Sequence, residues 1–403
     1  MPSLDTLTAA ARGLQHPLAQ FLKDLVAIPS VSSEERDVVY RIKDEMEKVG
    51  FDEVFFDGLG NVLGRIGDGP RVVAFDAHID TVDVGDPDAW SCDPFQGKEA
   101  DGCLWGRGTV DQKGGMAAMV YAGKLIKELE LAKDCTVWMV GSVMEEDCDG
   151  LCWHYILSEG VLKPEVVVST EPTNLRLLRG HRGRMEIRAA ARGLSCHGSA
   201  PERGENAITK LAPACAAIDE LNGRLADDPF LGKGSCCVTW FHGEGPSLCA
   251  VADRAELHID RRLTAGETKE SAVREVEQAL ADAGVEATVR TLVYERESWN
   301  GLVYPMEKYY PTWTMPEDHP AVLAGKTAHR NLFDLDPEVS RWIFSTNGVA
   351  INGLHGVPCV GFGPGDEALA HAPDEHVPIS HLVTACAFYA AFPAAWRDET
   401  PQD

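Results

Sequence analysis

The sequence predicts an α/β fold into which a smaller ferredoxin-like unit is inserted. Three observations carry that prediction. Between Phe51 and Thr170, short β-branched runs alternate with helical patterning, the succession expected of strands buried beneath helices. From Arg184 to Val293 the pattern changes to a β-α-β-β-α-β order, and the first kind of pattern resumes after Pro320. Finally, histidines and carboxylates recur where the predicted strands of the first kind end.

Composition bounds what such a chain does. Its 403 residues are 44% hydrophobic, enough for two domains with substantial cores. The 63 acidic against 37 basic side chains give a formal net charge of −26. That balance argues against nucleic acid or an anionic membrane as partner, and leaves a small-molecule substrate as the expectation. An N-terminal apolar stretch and a run of about 18 apolar residues are not visible, so a soluble, cytoplasmic protein is expected. The 12 cysteines are scattered and contain no CxxC, which reads as free thiols.

Taken in order, residues 3–26 and 32–49 carry helical periodicity interrupted by Ile28-Pro29-Ser30-Val31-Ser32. Phe51 to Ile66 reads as a hairpin about Gly58-Leu59-Gly60-Asn61. The run Val72-Val73-Ala74-Phe75 then leads straight into His78-Ile79-Asp80, placing a histidine and an aspartate at a strand end. An irregular loop with Trp and Pro, from Asp83 to Asp101, is of the kind that shapes a pocket mouth. A helix over Met116–Leu129 leads to a strand over Thr136–Val143, which ends in Met144-Glu145-Glu146-Asp147. A helix over Leu151–Glu159 leads to a third strand, Glu165–Thr170, which ends in Glu171-Pro172-Thr173.

The inserted unit is expected to place strands at Arg184–Ala191, Ser235–Phe241, Arg254–Arg262 and Val285–Val293, with helices at Glu205–Leu221 and Glu267–Ala283. The aromatic, Pro-rich stretch Trp299–Pro320 reads as a linker. A helix at Ala321–Asn331, the segment Ser340–Asn352, a strand at Pro358–Phe362 and a helix at Ser380–Phe392 return to the first unit. These divisions give residues 1–183, 184–296 and 297–403 as first part, insertion and second part.

Polar residues at the strand ends form a set: His78, Asp80, Asp111, Glu145, Glu146, Glu171 and, after Gly363-Pro364-Gly365, His371. Each alone is ordinary, since a strand-end histidine is usually hydrogen-bonded and an acidic pair usually a solvated turn. A phosphate cradle at the glycines around Asp111 is disfavoured, because neither GxxxxGK[ST] nor a strand-adjacent GxGxxG is present. Two histidines with several carboxylates match the ligand set of zinc, cobalt or manganese. Two ions about 3.5–4 Å apart would use the whole set and supply both a nucleophile and a Lewis acid. Asp80, on the same side of the strand as His78, is expected to hold that imidazole in one tautomer. Within Glu145-Glu146 an extended backbone lets one side chain face the metal while its neighbour serves as general base.

These residues carry a resemblance. HIDTV, GRGTVDQKGG, MEED, STEPT, GLSCHGSAPERGENAI and AHAPDEHVPI together resemble the dinuclear zinc peptidase and deacylase family. That family includes acetylornithine deacetylase, succinyl-diaminopimelate desuccinylase, aminoacylases and glutamate carboxypeptidases. Within it the chain is most similar to hydrolases described as selenium-metabolism-linked, through SLCAVADRAELHIDRRLT and the STNG segment. The resemblance covers nearly the whole chain in order. It implies a zinc-peptidase-like catalytic domain with an inserted dimerisation domain, and two divalent ions, zinc first, with cobalt or manganese as alternatives. His78, Asp111, Glu146, Glu171 and His371 would be the ligands, Asp111 bridging. Asp80 would orient His78, and Glu145 would act as general base on a metal-bridging hydroxide.

From the inserted domain of a homodimer, His197 would reach the partner's active site and stabilise the oxyanion. Arg262 would hold a substrate carboxylate, although as a residue type it reads equally as a surface salt-bridge partner. Thr346 would line the same pocket. Cys249-Ala250-Val251-Ala252 and Ser345-Thr346-Asn347-Gly348 depart from the Asn-Val-Ile-Pro and Gly-Thr-Ser-Asp of many relatives, which alters the expected pocket but no metal or base position. The expected function is hydrolysis of an amide or peptide bond in a small carboxylate-bearing substrate, an N-acyl amino acid or dipeptide. Two other classes stand beside it: a cysteine-dependent hydrolase using Cys196 next to His197, and a non-catalytic metal-binding protein on the same fold.

Overall fold

The computed structural model describes residues 4–401; residue 3 of the first expected helix and the outermost residues of the expected domains, 1–3 and 402–403, lie outside it. The larger unit is built on an eight-stranded mixed sheet. Its strands lie in the order Glu53–Phe56, Val62–Ile66, Cys135–Ser142, Arg71–His78, Val166–Ser169, Cys359–Gly361, Leu177–Leu178, Val339–Ser340. The central strands Cys135–Ser142, Arg71–His78, Val166–Ser169 and Cys359–Gly361 are parallel. Parallel strands are covered on both faces, which is why these read as continuous apolar runs: Val73, Ala74, Phe75, Val137, Met139, Val140, Val166, Val167 and Val168 are all buried. Lys113–Glu128 packs on two of them, and against Gln15–Val26 and the C-terminal helix Ile379–Glu399.

Register decides function here. His78 pairs with Ser142, Asp76 with Ser169, and Ser169 with Gly361, so four parallel strands stop along one line. Whatever follows each strand is delivered to the same edge, the position at which open α/β sheets bind ligands.

The inserted unit has the order Ser235–Glu244, Arg254–Leu263, Gly183–Arg192, Thr288–Thr291, every pair antiparallel. With helices Ala207–Leu211, Pro213–Arg224 and Lys269–Asp282 this is the ferredoxin-like arrangement the sequence predicts. Pro213 opens a new helix, dividing the single one expected over Glu205–Leu221. Strand Arg254–Leu263 alternates: Ala255, Leu257, Ile259 and Leu263 enter a second core, while His258, Asp260 and Arg262 face the other way.

Two expectations change. Trp299–Pro320 is not a linker, because Tyr310 and Trp313 are buried and Tyr309-Tyr310 pairs with Met185-Arg184, tying the returning chain to the inserted sheet. The last helix does not end at Phe392 but continues through Pro393 to Glu399, where Ala395 and Trp396 are buried and Trp396 Nε1 donates to Glu165 at 3.0 Å. Tertiary packing overrides the proline. Among the described residues this helix alone is long and apolar enough to cross a membrane, and its Leu382, Phe388, Tyr389 and Phe392 are buried inside the protein.

Gly361 lies against the indole of the fully buried Trp342, and a Cβ there would overlap the ring. Gly361→Ala should therefore lower stability by about 1–3 kcal/mol, the usual cost of overpacking a core. A wild-type denaturation midpoint for the variant would contradict this packing.

Candidate active site

His78, the last residue of its strand, is the centre of the strand-end cluster. Its Nε2 lies 2.8 Å from Asp111 Oδ1 and 3.7 Å from Glu171 Oε1. On the far side, Nδ1 meets the backbone carbonyl of Asp80 at 2.9 Å, closer than the 3.5 Å to that residue's Oδ1. The sequence expectation is corrected in this detail: Asp80 fixes the ring chiefly through its main chain. The Asp80 carboxylate instead accepts from Ser32 Oγ at 2.6 Å and from the amides of Glu145 at 3.2 Å and Glu146 at 3.0 Å. It thereby joins the two acidic strand ends. Met144, just before the pair, has φ 62°, a left-handed conformation that turns the backbone and lets both glutamates face the site.

Asp111 comes from the Gly-rich loop. Gly108 there has φ +86°, which a side chain would disfavour. The loop is wrapped around Glu375, wholly buried, whose carboxylate accepts from the amides of Val110 at 2.7 Å, Asp111 at 3.0 Å and Gly108 at 3.0 Å. Arg107 completes that cradle at 2.7 Å. Asp111 presents Oδ1 to His78 and Oδ2, at 3.3 Å, to His371 Nε2; His371 also reaches Glu146 Oε2 at 3.0 Å. Glu171 follows its strand directly, and Gly363 presses against its carbonyl so closely that no side chain fits there.

Crowding so many acids in the interior perturbs all of them. Burial pushes the Glu145 and Glu171 carboxyls well up, and neighbouring carboxylates add to the shift. Burial and Asp111 raise Glu146 to about 7. Hydrogen bonds to Asp111 and Glu146 lift His371 to about 10. For His78, burial works against the charged ring but Glu171 and Asp111 overcome it, so its pKa is raised as well.

Two sets of ligand atoms, His78–Glu145–Glu171 and His78–Asp111–Glu146, each lie within 4.8 Å of one another. Glu145 Oε1 and Glu171 Oε2 are buried and have no hydrogen-bond partner among the described residues. Buried acceptors with nothing to accept from are costly, and a divalent cation satisfies them. The donor set fits such an ion.

The cluster opens into a cavity of about 420 Å³, a size suited to a small molecule. Its other wall carries Arg184 and Arg262 from the inserted sheet and Arg182 from just before that sheet's strand Gly183–Arg192. Arg184 is engaged by Asp149 at 2.9 Å, and Arg262 by Asp260 through Nε at 2.7 Å and one Nη at 3.1 Å. Thr346 does not reach the cavity: it is fully buried, its Oγ1 3.1 Å from His181 Nε2, and Ser345 lines the wall instead. His197 is exposed on the inserted unit and is not part of this wall. Its Nδ1 meets the amide and hydroxyl of Ser199, whereas Cys196 Sγ meets the carbonyl of Ala200 at 3.3 Å, so no Cys–His pair forms and a thiol mechanism has no geometry behind it.

Comparison with known proteins agrees with the fold. Residues 74–395 match the model of Peptidase family M20/M25/M40. The chain is 55% identical over 386 residues to the uncharacterized protein YgeY of Escherichia coli K12, covering 96% of each. It is 26% identical over 392 residues to a probable succinyl-diaminopimelate desuccinylase of Staphylococcus epidermidis, covering 89% of this chain and 92% of that one. Among solved structures, the di-peptidase Dug1p of Saccharomyces cerevisiae matches with a TM-score of 0.74 at 15% identity over 99% of both chains. The fold and site thus define a metallohydrolase. The chain belongs to peptidase family M20/M25/M40 and hydrolyses amide or peptide bonds.

Sequence reasoning missed Glu375, Arg182, Arg184 and Asp149. Glu375 lay inside a motif already singled out, AHAPDEHVPI, and the arginines stood within His181-Arg182-Gly183-Arg184, which carried no signal beyond its charge.

Since His371 and Glu146 hold protons near neutrality in the metal-free cluster, metal uptake must displace them. Titration of the apo protein with a divalent ion at pH 7, in buffers of different ionisation enthalpy, should show net proton release, with affinity rising as pH rises. Uptake without proton release would contradict the electrostatics described here.

Proposed function

We propose that this chain is a homodimeric two-metal hydrolase, zinc-loaded with cobalt or manganese as alternatives, acting in the cytoplasm on a small carboxylate-bearing amide. An N-acyl amino acid or a dipeptide is the substrate class. The observation that carries the proposal is the placement of a buried carboxylate–imidazole cluster opposite arginines across one small cavity.

In this reading His78, Asp111, Glu146, Glu171 and His371 would hold the ions, Asp111 with one oxygen facing His78 and the other His371. Bound there, the ions would polarise the scissile carbonyl and acidify the attacking water. Glu145 is left to take the proton from that water and return it to the leaving amine. Its burial, which favours the protonated form, suits a carboxylate that must accept and carry a proton. Asp80 positions both His78 and the Glu145-Glu146 backbone. Arg262 retains an Nη that Asp260 does not use, and offers it to the substrate carboxylate.

Residues 184–296 act as the dimerising insertion. Strand Ser235–Glu244 lies at the sheet edge with Cys237 and Trp240 exposed, an edge suited to a two-fold partner. His197 serves the partner's site as an oxyanion donor. Acceptance of the Ser199 amide at Nδ1, 3.1 Å away, leaves Nε2 as the nitrogen that carries the hydrogen.

Glu145→Gln should retain metal and lose about 10²–10⁴ of turnover, the contribution of a positioned acid–base group. Full turnover in a metallated variant would remove Glu145 from the chemistry, and loss of metal would make it a ligand. Dimer sharing is tested by mixing inactive His197→Ala and Glu145→Ala proteins under subunit exchange. Activity should reappear, because one site of each mixed dimer has an intact glutamate and receives an intact histidine. Inactive verified heterodimers would confine His197 to its own chain or to no catalytic part.

A further inference from the structure

The strand Cys135–Ser142 ends at Ser142, and the next four amides leave its ladder. Each donates instead to a side chain from elsewhere in the chain. Val143 gives its N–H to Asn61 Oδ1 at 2.9 Å and Met144 to Glu35 Oε1 at 3.0 Å, while Glu145 and Glu146 use the two oxygens of Asp80. Among these four residues only Met144 has a positive φ, 62°. A residue with a Cβ is disfavoured in that conformation and keeps it only where its surroundings hold it. Glu35 is therefore the acceptor at the one residue whose backbone sets the direction of Glu145.

Glu35 is wholly buried at the entry to helix Arg36–Val49 and its carbonyl accepts from the Val39 amide at 3.0 Å, yet its side chain does not cap that helix. It reaches Met144 instead, 109 residues along the chain. The segment that precedes it is fastened from several sides. Lys113 Nζ donates to the carbonyls of Leu25 at 3.0 Å and Ile28 at 2.8 Å, Ser30 Oγ to that of Ile79 at 2.8 Å, and Ser32 Oγ to Asp80 at 2.6 Å. Glu35 thus stands on a frame fixed independently of Met144. Its other oxygen, Oε2, is buried with no hydrogen-bond partner among the described residues, a poor arrangement for stability alone. Burial, and then the Asp80 carboxylate, push the Glu35 carboxyl up to about 8, so at neutral pH Oε1 is an uncharged acceptor. We infer that Glu35 is a positioning residue for amide hydrolysis: Oε1 holds the Met144 amide, keeps the left-handed turn, and so aims the Glu145 carboxylate into the site. The inference rests on the reading of Glu145 as general base. Without the bond Met144 relaxes toward an ordinary conformation and Glu145, next in the chain, turns with it. Asp80 still holds the amides of Glu145 and Glu146, so the ligands stay in place while the base loses its aim.

Two substitutions separate reach from charge. Glu35→Gln keeps an oxygen at the same length and removes the ionisable group, whereas Glu35→Asp keeps the carboxyl and draws it back by one methylene. With metal-loaded protein and any amide the wild type cleaves, Glu35→Asp should lower kcat by about 10- to 100-fold, the cost of slightly misplacing a catalytic group. KM and metal content should change little, and Glu35→Gln should keep most of the wild-type kcat. Thr268→Ala, which removes the cap of helix Lys269–Asp282 in the inserted unit, controls for lost stability alone and should leave kcat unchanged. Added to Glu145→Gln, Glu35→Asp should cost little more, because the group it aims is already gone. Should the shorter side chain prevent folding, Glu35→Met, of similar length and without an acceptor, repeats the test. Wild-type kcat in Glu35→Asp, or equal losses in Glu35→Asp and Glu35→Gln, overturns the inference and leaves Glu145 as the base. Full turnover in metallated Glu145→Gln instead removes the base reading, and the role of Glu35 falls with it. A crystal structure of Glu35→Asp decides without any substrate: Met144 out of the left-handed region with Glu145 displaced supports the inference, and an unchanged turn rejects it.

Discussion

Mutual repulsion within one buried patch is the constraint on which the rest of this structure depends. Asp111, Glu145, Glu146 and Glu171 converge on His78 at the sheet edge, and a carboxylate cluster of that density is unfavourable in a low-dielectric interior. The protein does not relieve the repulsion by exposing the acids. It fixes their backbones from behind with two further buried carboxylates, Asp80 beneath Glu145-Glu146 and Glu375 beneath Asp111. Peptide N–H groups, with Ser32 at Asp80 and Arg107 at Glu375, satisfy each of these while the acids above remain open toward the cavity. The Asp80 and Glu375 oxygens are used up on the scaffold, whereas Glu145 Oε1 and Glu171 Oε2 have no hydrogen-bond partner among the described residues.

The same logic explains where glycine is needed. A backbone that curls around Glu375 closely enough to point several amides at one carboxylate must adopt positive φ at Gly108. Gly363 lets the chain leaving the strand Cys359–Gly361 pass against the Glu171 carbonyl on its way to His371. Position, rather than ligand identity alone, is what these residues supply.

Much of this was legible in the sequence because parallel strands carry two signals at once. Their apolar runs mark them as doubly covered, and double covering forces their carboxyl ends onto one edge, so His78, Glu145-Glu146 and Glu171 could be gathered without knowing any contact. What stayed hidden depended on distance along the chain or on irregular backbone. Glu375 meets amides some 264 to 267 residues earlier, a pairing no local pattern encodes. Thr346 and Ser345 differ in which faces the cavity because that segment has neither period 2 nor 3.6. The stretch around Tyr310 and Trp313 has the composition of a linker and the burial of a core, since aromatic rings among prolines report on packing only once the surface they cover is known.

Charge is divided between the two units. The first part and the return of the chain supply the acids and imidazoles at the sheet edge, and the inserted sheet, with Arg182 at its entry, supplies Arg184 and Arg262 across the cavity. One strand sets their separation. Gly183–Arg192 begins just after Arg182, places Arg184 directly opposite Arg262, and is held at that same end by the returning Tyr309-Tyr310. The acidic cluster and the arginine wall are therefore built on separate cores, joined where Tyr309-Tyr310 pairs with Met185-Arg184. The arginine wall is thus held by packing that the acidic cluster does not share, and a chain of net charge −26 gathers three guanidinium groups on one side of a single small cavity.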